Sequence, residues 1–561
     1  MNKCIILILL TSFLVSRNPD AVGKNGMIVS SNKLASNIGI EILKKGGNAI
    51  DAAIATGFAL SVVHPGAGNI GGGGFMVIRL SDGSVQTIDF REVAPLASFK
   101  NMFLDDSLNV IKGKSWNTSW AVGVPGTVAG FGLAFENYGS GLIGWSDLIS
   151  PSSKIAKEGF PLDYQNMKYL NSPYYGAYLR NDSESKKIFT KNSSYELYEN
   201  FIQIDLSRTL DRIAENGWTE FYYGQTADQL IKCMNRTNGL ITIEDLNNYK
   251  AVLRAPITFK YRGYEVHSMP PASSGGIAIA GILKQIENIN LNELEFHSVD
   301  HVHYLAEVER RVYADRSRFM GDMDFVKVPI DTLISSDYAN SRFSTIDSLR
   351  ASSSANIYPG DIPFSYNESE ETTHYSVVDK FGNAVSVTTT INGWFGSGIV
   401  VDNAGFLLNN EMDDFSAKPG VPNAYGLIGN SANSIEPNKR MLSSMSPTIV
   451  ETSKGELFLV VGSPGGSTII TTTAQVIMNV IDFGMSIEDA VESSRFHHQW
   501  IPDMIQLESY ALSPETIDLL EKKGHLFNYR GSIGESNSIQ LLDGILFGAS
   551  DSRRNSSAVG Y

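Results

Sequence analysis

The sequence predicts an α+β protein, and three stretches carry that expectation. Between Asn32 and Lys45 apolar side chains recur as Leu34, Ala35, Ile38, Ile42 and Leu43, the spacing of one helix face, and the pattern stops at Gly46-Gly47. A second helix, Ala49 to Val62, is apolar nearly all round and so belongs in a core. From His374 to Thr390 the period changes to two on both sides of Lys380-Phe381-Gly382-Asn383, which reads as a β-hairpin.

The remaining elements follow in order. Gly71 to Gly74 leads into a strand-like Phe75 to Leu80. From about Ser146 to Asn248 the chain reads mainly helical, with Thr242 and Asp245 spaced as a capping box. Ala339 to Glu371 has little periodicity, and Ser352-Ser353-Ser354, Pro359-Gly360 and Pro363 give it the character of an exposed linker. Strands are expected at Gly405 to Leu408 and Leu457 to Val461, and a helix from Ile470 to Phe483, closed by Gly484. There is no internal repeat.

Of 561 residues, 42% are apolar and 19% charged, the balance of a packed globular chain. A net charge of −15 excludes nucleic acid as the natural partner, because phosphate binding needs concentrated Lys and Arg. Any anionic group of a ligand must then be held by a local cation. Lys3, the apolar run Ile5 to Val15 and polar Ser16, Arg17 and Asn18 have the layout of a secretory signal peptide. Residues 1–21 are assigned to it, with the cut either after Ala21 or nearer Ser16. An exported protein is expected, periplasmic or extracellular, with an uncleaved membrane anchor as the alternative.

One of the two cysteines, Cys4, lies in that segment, so Cys233 alone offers no disulfide framework. His301-Val302-His303 and His497-His498 lack a third ligand at a recognisable spacing and read as helix and turn residues. Gly71 to Gly74 lacks the Gly-Lys-Ser/Thr ending of a phosphate loop. Neither a metal nor another cofactor is expected.

The stretch Glu371-Thr372-Thr373-His374-Tyr375-Ser376-Val377 is the chemically informative one. A turn-rich segment runs directly into a strand whose first residue carries a hydroxyl. Breaking the preceding peptide bond makes Thr372 both a nucleophile, through Oγ, and a base, through an α-amino group of ordinary pKa about 7.7–8.0. No histidine is then required, in keeping with a chain that has no G-x-S-x-G elbow. By itself, Thr-Thr before a strand is ordinary β-propensity.

An ordered series of blocks changes that weight. It includes Gly46-Gly47-Asn48-Ala49-Ile50-Asp51-Ala52-Ala53, Asp89-Phe90-Arg91-Glu92, Gly123-Val124-Pro125-Gly126-Thr127, Ser273-Ser274-Gly275-Gly276 and Tyr313-Ala314-Asp315-Arg316. Asn409 to Ser416, Arg440 to Val450 and Gly462-Ser463-Pro464-Gly465-Gly466-Ser467 complete it. In these blocks, spread from about Gly26 to Tyr561, the chain resembles the γ-glutamyltransferase family.

The resemblance implies a four-layer αββα sandwich of the N-terminal-nucleophile hydrolase type. It further implies a cut between Glu371 and Thr372 that leaves a large piece, 22–371, and a small one, 372–561, as one intertwined heterodimer. Thr372 is then the nucleophile, Thr390 orients it, Thr373 is the second threonine beside the cut, and the amides of Gly465 and Gly466 form the oxyanion hole. Arg91, with Ser443 and Ser444, receives the substrate α-carboxylate. Asn392, Glu411 and Asp414 receive the α-ammonium, with Asp413 open as the alternative to Asp414. A lid is implied over 416–426, with Tyr425 as its gate.

The substrates implied are glutathione and other γ-glutamyl compounds, with water, amino acids or dipeptides as acceptors. The competing readings are a cephalosporin (glutaryl) acylase, a poly-γ-glutamate processing enzyme, and a non-catalytic homologue that only binds.

Overall fold

Two seven-stranded sheets stack face to face between layers of helix. The computed structural model describes residues 19–360, 372–418 and 431–561. In chain order the strands of these sheets are Ala21–Gly23 (β1), Gly26–Ser30 (β2), Gly73–Arg79 (β3), Val85–Asp89 (β4), Val252–Arg254 (β5), Ile257–Tyr261 (β6) and Tyr264–Ser268 (β7). After Thr372 come Thr373–Asp379 (β8), Ala384–Thr390 (β9), Thr448–Glu451 (β10), Leu457–Val461 (β11), Ser538–Leu542 (β12), Ile545–Ala549 (β13) and Ser557–Gly560 (β14). The first sheet is ordered β14-β2-β8-β9-β3-β4-β5 and the second β1-β13-β12-β11-β10-β7-β6. Each mixes strands from both sides of Thr372, so neither part of the chain closes a sheet alone.

Helices Lys33–Lys44 (α1), Ala49–Val63 (α2), Thr127–Tyr138 (α3), Trp145–Glu158 (α4) and Ile204–Asn216 (α5) form the layer outside the first sheet. Gly275–Ile286 (α6), Val299–Phe319 (α7) and Thr468–Ile481 (α8) form the layer outside the second. The result is the αββα sandwich that the family resemblance implies.

The local chemistry explains the elements. Asn32 caps α1 by accepting from the Leu34 amide, and Asn48 and Asp51 close a capping box on α2. Every residue of α2 is buried, because it lies between α1, α3, α4 and strand β8. The capping box at Thr242 and Asp245 forms as its spacing predicts.

Between the sheets, Met27, Val29, Val77, Val378, Ile449, Val460, Ile539 and Leu546 make a seam of buried side chains. Each such aliphatic residue contributes roughly 1.5–3 kcal/mol relative to exposure. β8 is covered on both faces. Tyr375 and Val377 join the helical core on one side, while Val378 joins the inter-sheet seam on the other.

Three expectations are corrected. Gly405 to Leu408 is not a strand: it pairs only through a single bridge between Val400 and Leu407, and Gly405 stands at φ 77°, which breaks the extended path. The stretch after Ala339 is largely exposed over its described part, as expected of a linker, but it is pinned to the body of the protein rather than free. Ser336–Phe343 is a helix, and beyond it Ser352 Oγ donates to Glu307, the Ser354 amide donates to Asp503 at 2.7 Å and the Gly360 amide to Asp315 at 2.9 Å. Glu307 and Asp315 are buried on α7 and need donors, which a hydroxyl- and amide-rich turn supplies. His497 belongs to a short strand, Phe496–His497, rather than a turn.

Candidate active site

β8 begins at the position that matters. In its pairing with β9, Thr373 lies opposite Thr389 and His374 opposite Thr388, so the register carries Thr372 to the level of Thr390. Thr390 in turn pairs with Gly73 of β3. The glycine run before β3 exists for this contact, since a Cβ on Gly72 would sit 2.0 Å from the Thr390 carbonyl oxygen. Asn69 fastens the same place, donating to the Thr390 carbonyl at 2.9 Å. Thr372 and Thr373 are buried, and Thr373 Oγ1 shares a hydrogen bond of 3.0 Å with Ser31.

Arg91 follows β4 and is 1% exposed. Asp89 accepts from its amide at 3.0 Å, and its Nε donates to the Met441 carbonyl at 3.3 Å. Its Nη1 lies 2.6 Å from Glu411 and 3.6 Å from Glu92, and Nη2 pairs with Asp414. Burial opposes the arginine's charge, but the three carboxylates outweigh it and hold the guanidinium above its ordinary pKa. Burial pushes Glu92 and Asp414 well above the carboxylate range, with Arg91 pulling both back down. Glu411 is also raised by burial, against the pull of Arg91 and the Thr390 hydroxyl. Three buried carboxyl groups thus share one guanidinium, and the pocket favours an added cation.

The turn that presents these acids is the short helix Glu411–Asp414, buried throughout rather than a solvated acidic turn. Asp414 faces Arg91, whereas Asp413 Oδ1 accepts from Ser115 at 2.5 Å. Asn409, to which the sequence reading gave no role, fixes the turn. Its side chain accepts from the Gly123 and Glu411 amides and donates to the Gly71 and Gly123 carbonyls. Asn392, at φ 66°, donates its amide N–H to Thr390 Oγ1 at 2.7 Å and its side chain to the Asn410 carbonyl at 3.0 Å.

Ser443 and Ser444 are buried on an extended segment whose start is tied to both halves of the pocket. Arg440 pairs with Asp89 at 3.2 Å, and the Leu442 amide donates to Asn433, which itself donates to the Asp414 carbonyl at 2.6 Å. Gly465 and Gly466 lie between β11 and the N-terminus of α8 at φ 125° and 66°. An amide-rich turn at the positive end of a helix is suited to negative charge. The neighbouring Gly462 packs against β8, where a Cβ would sit 2.4 Å from the His374 ring.

Glu371 and Tyr425 lie outside the described residues, as does most of the 416–426 loop. The contacts bring Arg91, Glu411, Asp414 and Thr390 into one cluster and tie the serine segment to it. Asp89, Asn409 and Arg316 were missed. All three lie in the sequence blocks quoted above, but nothing in their spacing says which neighbour they brace. Glu265, His267 and Glu451 form the one cluster of potential metal ligands among the described residues. Glu451 is already paired there with Arg79 at 2.5 Å, which disfavours a cation.

This sandwich, with a threonine at the head of a central strand, is the fold of the N-terminal-nucleophile hydrolases. A sequence model of the family described as Gamma-glutamyltranspeptidase matches residues 35–561, and the chain belongs to that family. The glutathione hydrolase proenzyme of Escherichia coli (strain K12) is 49% identical over 533 residues, covering 94% of this chain and 90% of that protein. Cephalosporin acylase from Bacillus halodurans superposes with a TM-score of 0.80 over 100% of this chain and 99% of that one, at 24% identity, a likeness of fold alone. A solved chain of Helicobacter pylori gamma-glutamyltranspeptidase is 42% identical, with a TM-score of 0.58, covering 62% of this chain and 99% of that one.

Proposed function

We propose that the chain is a proenzyme that cuts itself before Thr372 and then hydrolyses or transfers γ-glutamyl groups, from glutathione and related amides. Thr372 Oγ adds to the Glu371 carbonyl, the peptide nitrogen leaves as the threonine's own amine, and water hydrolyses the resulting ester. Residues 372–561 then begin with a free α-amine beside the nucleophile. That amine takes the Oγ proton as Oγ attacks the γ-amide, and returns it to the leaving amine. The Gly465 and Gly466 amides receive the oxyanion. Water or an amino acid or dipeptide acceptor next takes the γ-glutamyl group from the Thr372 ester.

One observation carries the specificity: Arg91 shares its charge among three buried carboxyls directly beside Thr390. An α-carboxylate can take guanidinium donors while an α-ammonium supplies the missing positive charge to Glu411 and Asp414. A glutaryl chain brings no cation, which disfavours the acylase reading. The proenzyme name of the Escherichia coli relative supports a precursor, and the Helicobacter pylori chain that spans 62% of this one supports its division in two.

Export through residues 1–21 remains part of this reading. Among the described residues no helix is long and apolar enough to cross a membrane. A cut nearer Ser16 is favoured, because Asp20 accepts from the Ser550 amide at 2.8 Å and Ala21 pairs with Gly548 in the sheet.

The test is Thr372→Ala. Wild type runs as two bands on a denaturing gel and turns over a γ-glutamyl anilide; the variant runs as one full-length band without turnover. Cleavage or turnover surviving in the variant sinks the assignment. Product analysis with glutathione, with and without a dipeptide, divides hydrolysis from transfer.

A further inference from the structure

A hydroxyl at a carboxylate site is ambiguous in a way an arginine is not: it donates one hydrogen bond and accepts others, so its proton follows the best acceptor. Ser443 and Ser444 are held so that this ambiguity is removed. Ser444 Oγ accepts from Arg316 Nη2 at 2.7 Å, and Ser443 Oγ accepts from the Met445 amide at 3.1 Å. A guanidinium and a backbone amide only donate, so neither can take a serine proton. No described residue accepts from either hydroxyl.

We infer that Arg316 is a positioning residue which, by donating to Ser444 Oγ, leaves the Ser444 proton to be given to the substrate α-carboxylate and so sets the preference for a carboxylate at that end of the pocket. The inference rests on the reading that Ser443 and Ser444 face the α-carboxylate of a γ-glutamyl group.

The surroundings suit that task. Arg316 is 2% exposed. Its Nε donates to Ser274 Oγ at 2.9 Å, and the Ser274 hydroxyl and amide both donate to the Ser443 carbonyl, at 2.9 and 2.7 Å. One guanidinium therefore reaches Ser444 directly and the Ser443 backbone through Ser274. Three residues earlier on the same face of α7, the Tyr313 hydroxyl donates to the Ser467 carbonyl, next to Gly466. A single helix turn thus braces both the serine pair and the glycine turn.

The experiment compares wild type with Arg316→Gln, Arg316→Lys and Ser274→Ala on two anilides. One is γ-glutamyl-4-nitroanilide; the other is 4-aminobutyryl-4-nitroanilide, which keeps the scissile amide and the ammonium but lacks the α-carboxylate. A glutamine can accept the serine proton through its carbonyl oxygen, whereas a lysine, like the arginine, can only donate.

In Arg316→Gln, KM for the γ-glutamyl substrate is expected to rise about tenfold with kcat held within about threefold, the size of one hydrogen bond to a charged group. The kcat/KM of the decarboxylated analogue should move less than about threefold, so selectivity collapses; Arg316→Lys should keep most of it. Equal losses on both substrates in Arg316→Gln overturn the inference, as does Arg316→Lys losing as much selectivity as Arg316→Gln.

If Arg316→Gln yields no soluble two-chain protein, Ser274→Ala decides. A fall in selectivity of about threefold or more supports the relay, and unchanged selectivity overturns it. A wild type that turns over no γ-glutamyl substrate refutes the proposed function and this inference with it. A working wild type with unselective losses in the variants refutes this inference alone.

Discussion

Gly465 stands at φ 125°, a conformation that L side chains rarely adopt, and a Cβ there would lie 2.6 Å from Thr468 Oγ1 and 3.1 Å from Gly534 Cα. Gly465→Ala is therefore expected to shift the two glycine amides. Turnover of a γ-glutamyl anilide should fall about 10²-fold or more in kcat, in line with loss of an oxyanion donor, while KM changes little. Activity within a few-fold of wild type would remove these glycines from the mechanism. Arg91 depends on partners outside its own motif. Its type and motif were legible in the sequence, but its present partners Glu411 and Asp414 lie more than three hundred positions away. Asp413 and Asp414 are chemically identical, and only the fold of their short turn sends one to Arg91 and the other to Ser115.

Strand β8 buries a titratable side chain. Its His374 is fully buried between Thr388 and Ser376, at 3.0 and 3.2 Å, and burial lowers its pKa from 6.5 to about 3. The unfolded chain binds a proton at this position near pH 6.5, whereas the folded one does so only near pH 3. The neutral histidine's contribution is thus complete above pH 6.5 and is lost as pH falls toward 3. His374→Asn removes this titration, so the stability advantage of wild type over the variant should shrink by about 2 kcal/mol between pH 7 and pH 5. Urea unfolding at the two pH values measures it, and a constant difference would contradict the burial argument. Elements like α2 and the β8–β9 hairpin were legible because periodicity and caps are local. The exposure of the stretch 345–360 was legible but its anchoring was not, because the carboxylates that hold it lie on α7 and at Asp503, far along the chain.

For the whole molecule, the central fact is that both sheets interleave strands from either side of Thr372. A cut before Thr372 then breaks no sheet, and further contacts tie residues just upstream of it to the downstream part. Trp500 donates to the Ser354 and Ile357 carbonyls at 3.0 Å each, and Asp503 binds the Ser354 amide and the buried Arg310. Asp503→Asn should cost about 1–3 kcal/mol by leaving Arg310 under-compensated. A thermal melt reads the loss, and kcat should be unaffected because no residue of the proposed cycle contacts Asp503. A variant as stable as wild type would show that this contact does not hold the two parts together.

The sequence alone determined helices α1, α2 and α8 and the hairpin, the family, and the residue types of the candidate site, because periodicity and contiguous motifs need no distant partner. Only the tertiary structure decided that Arg91 lies among Glu92, Glu411 and Asp414, that Asn409 and Asp89 fix the pocket's walls, and that Arg316 stands behind Ser444. These are hydrogen bonds and ion pairs between segments far apart in the chain. Their geometry is set by how the layers pack, and no local pattern encodes it.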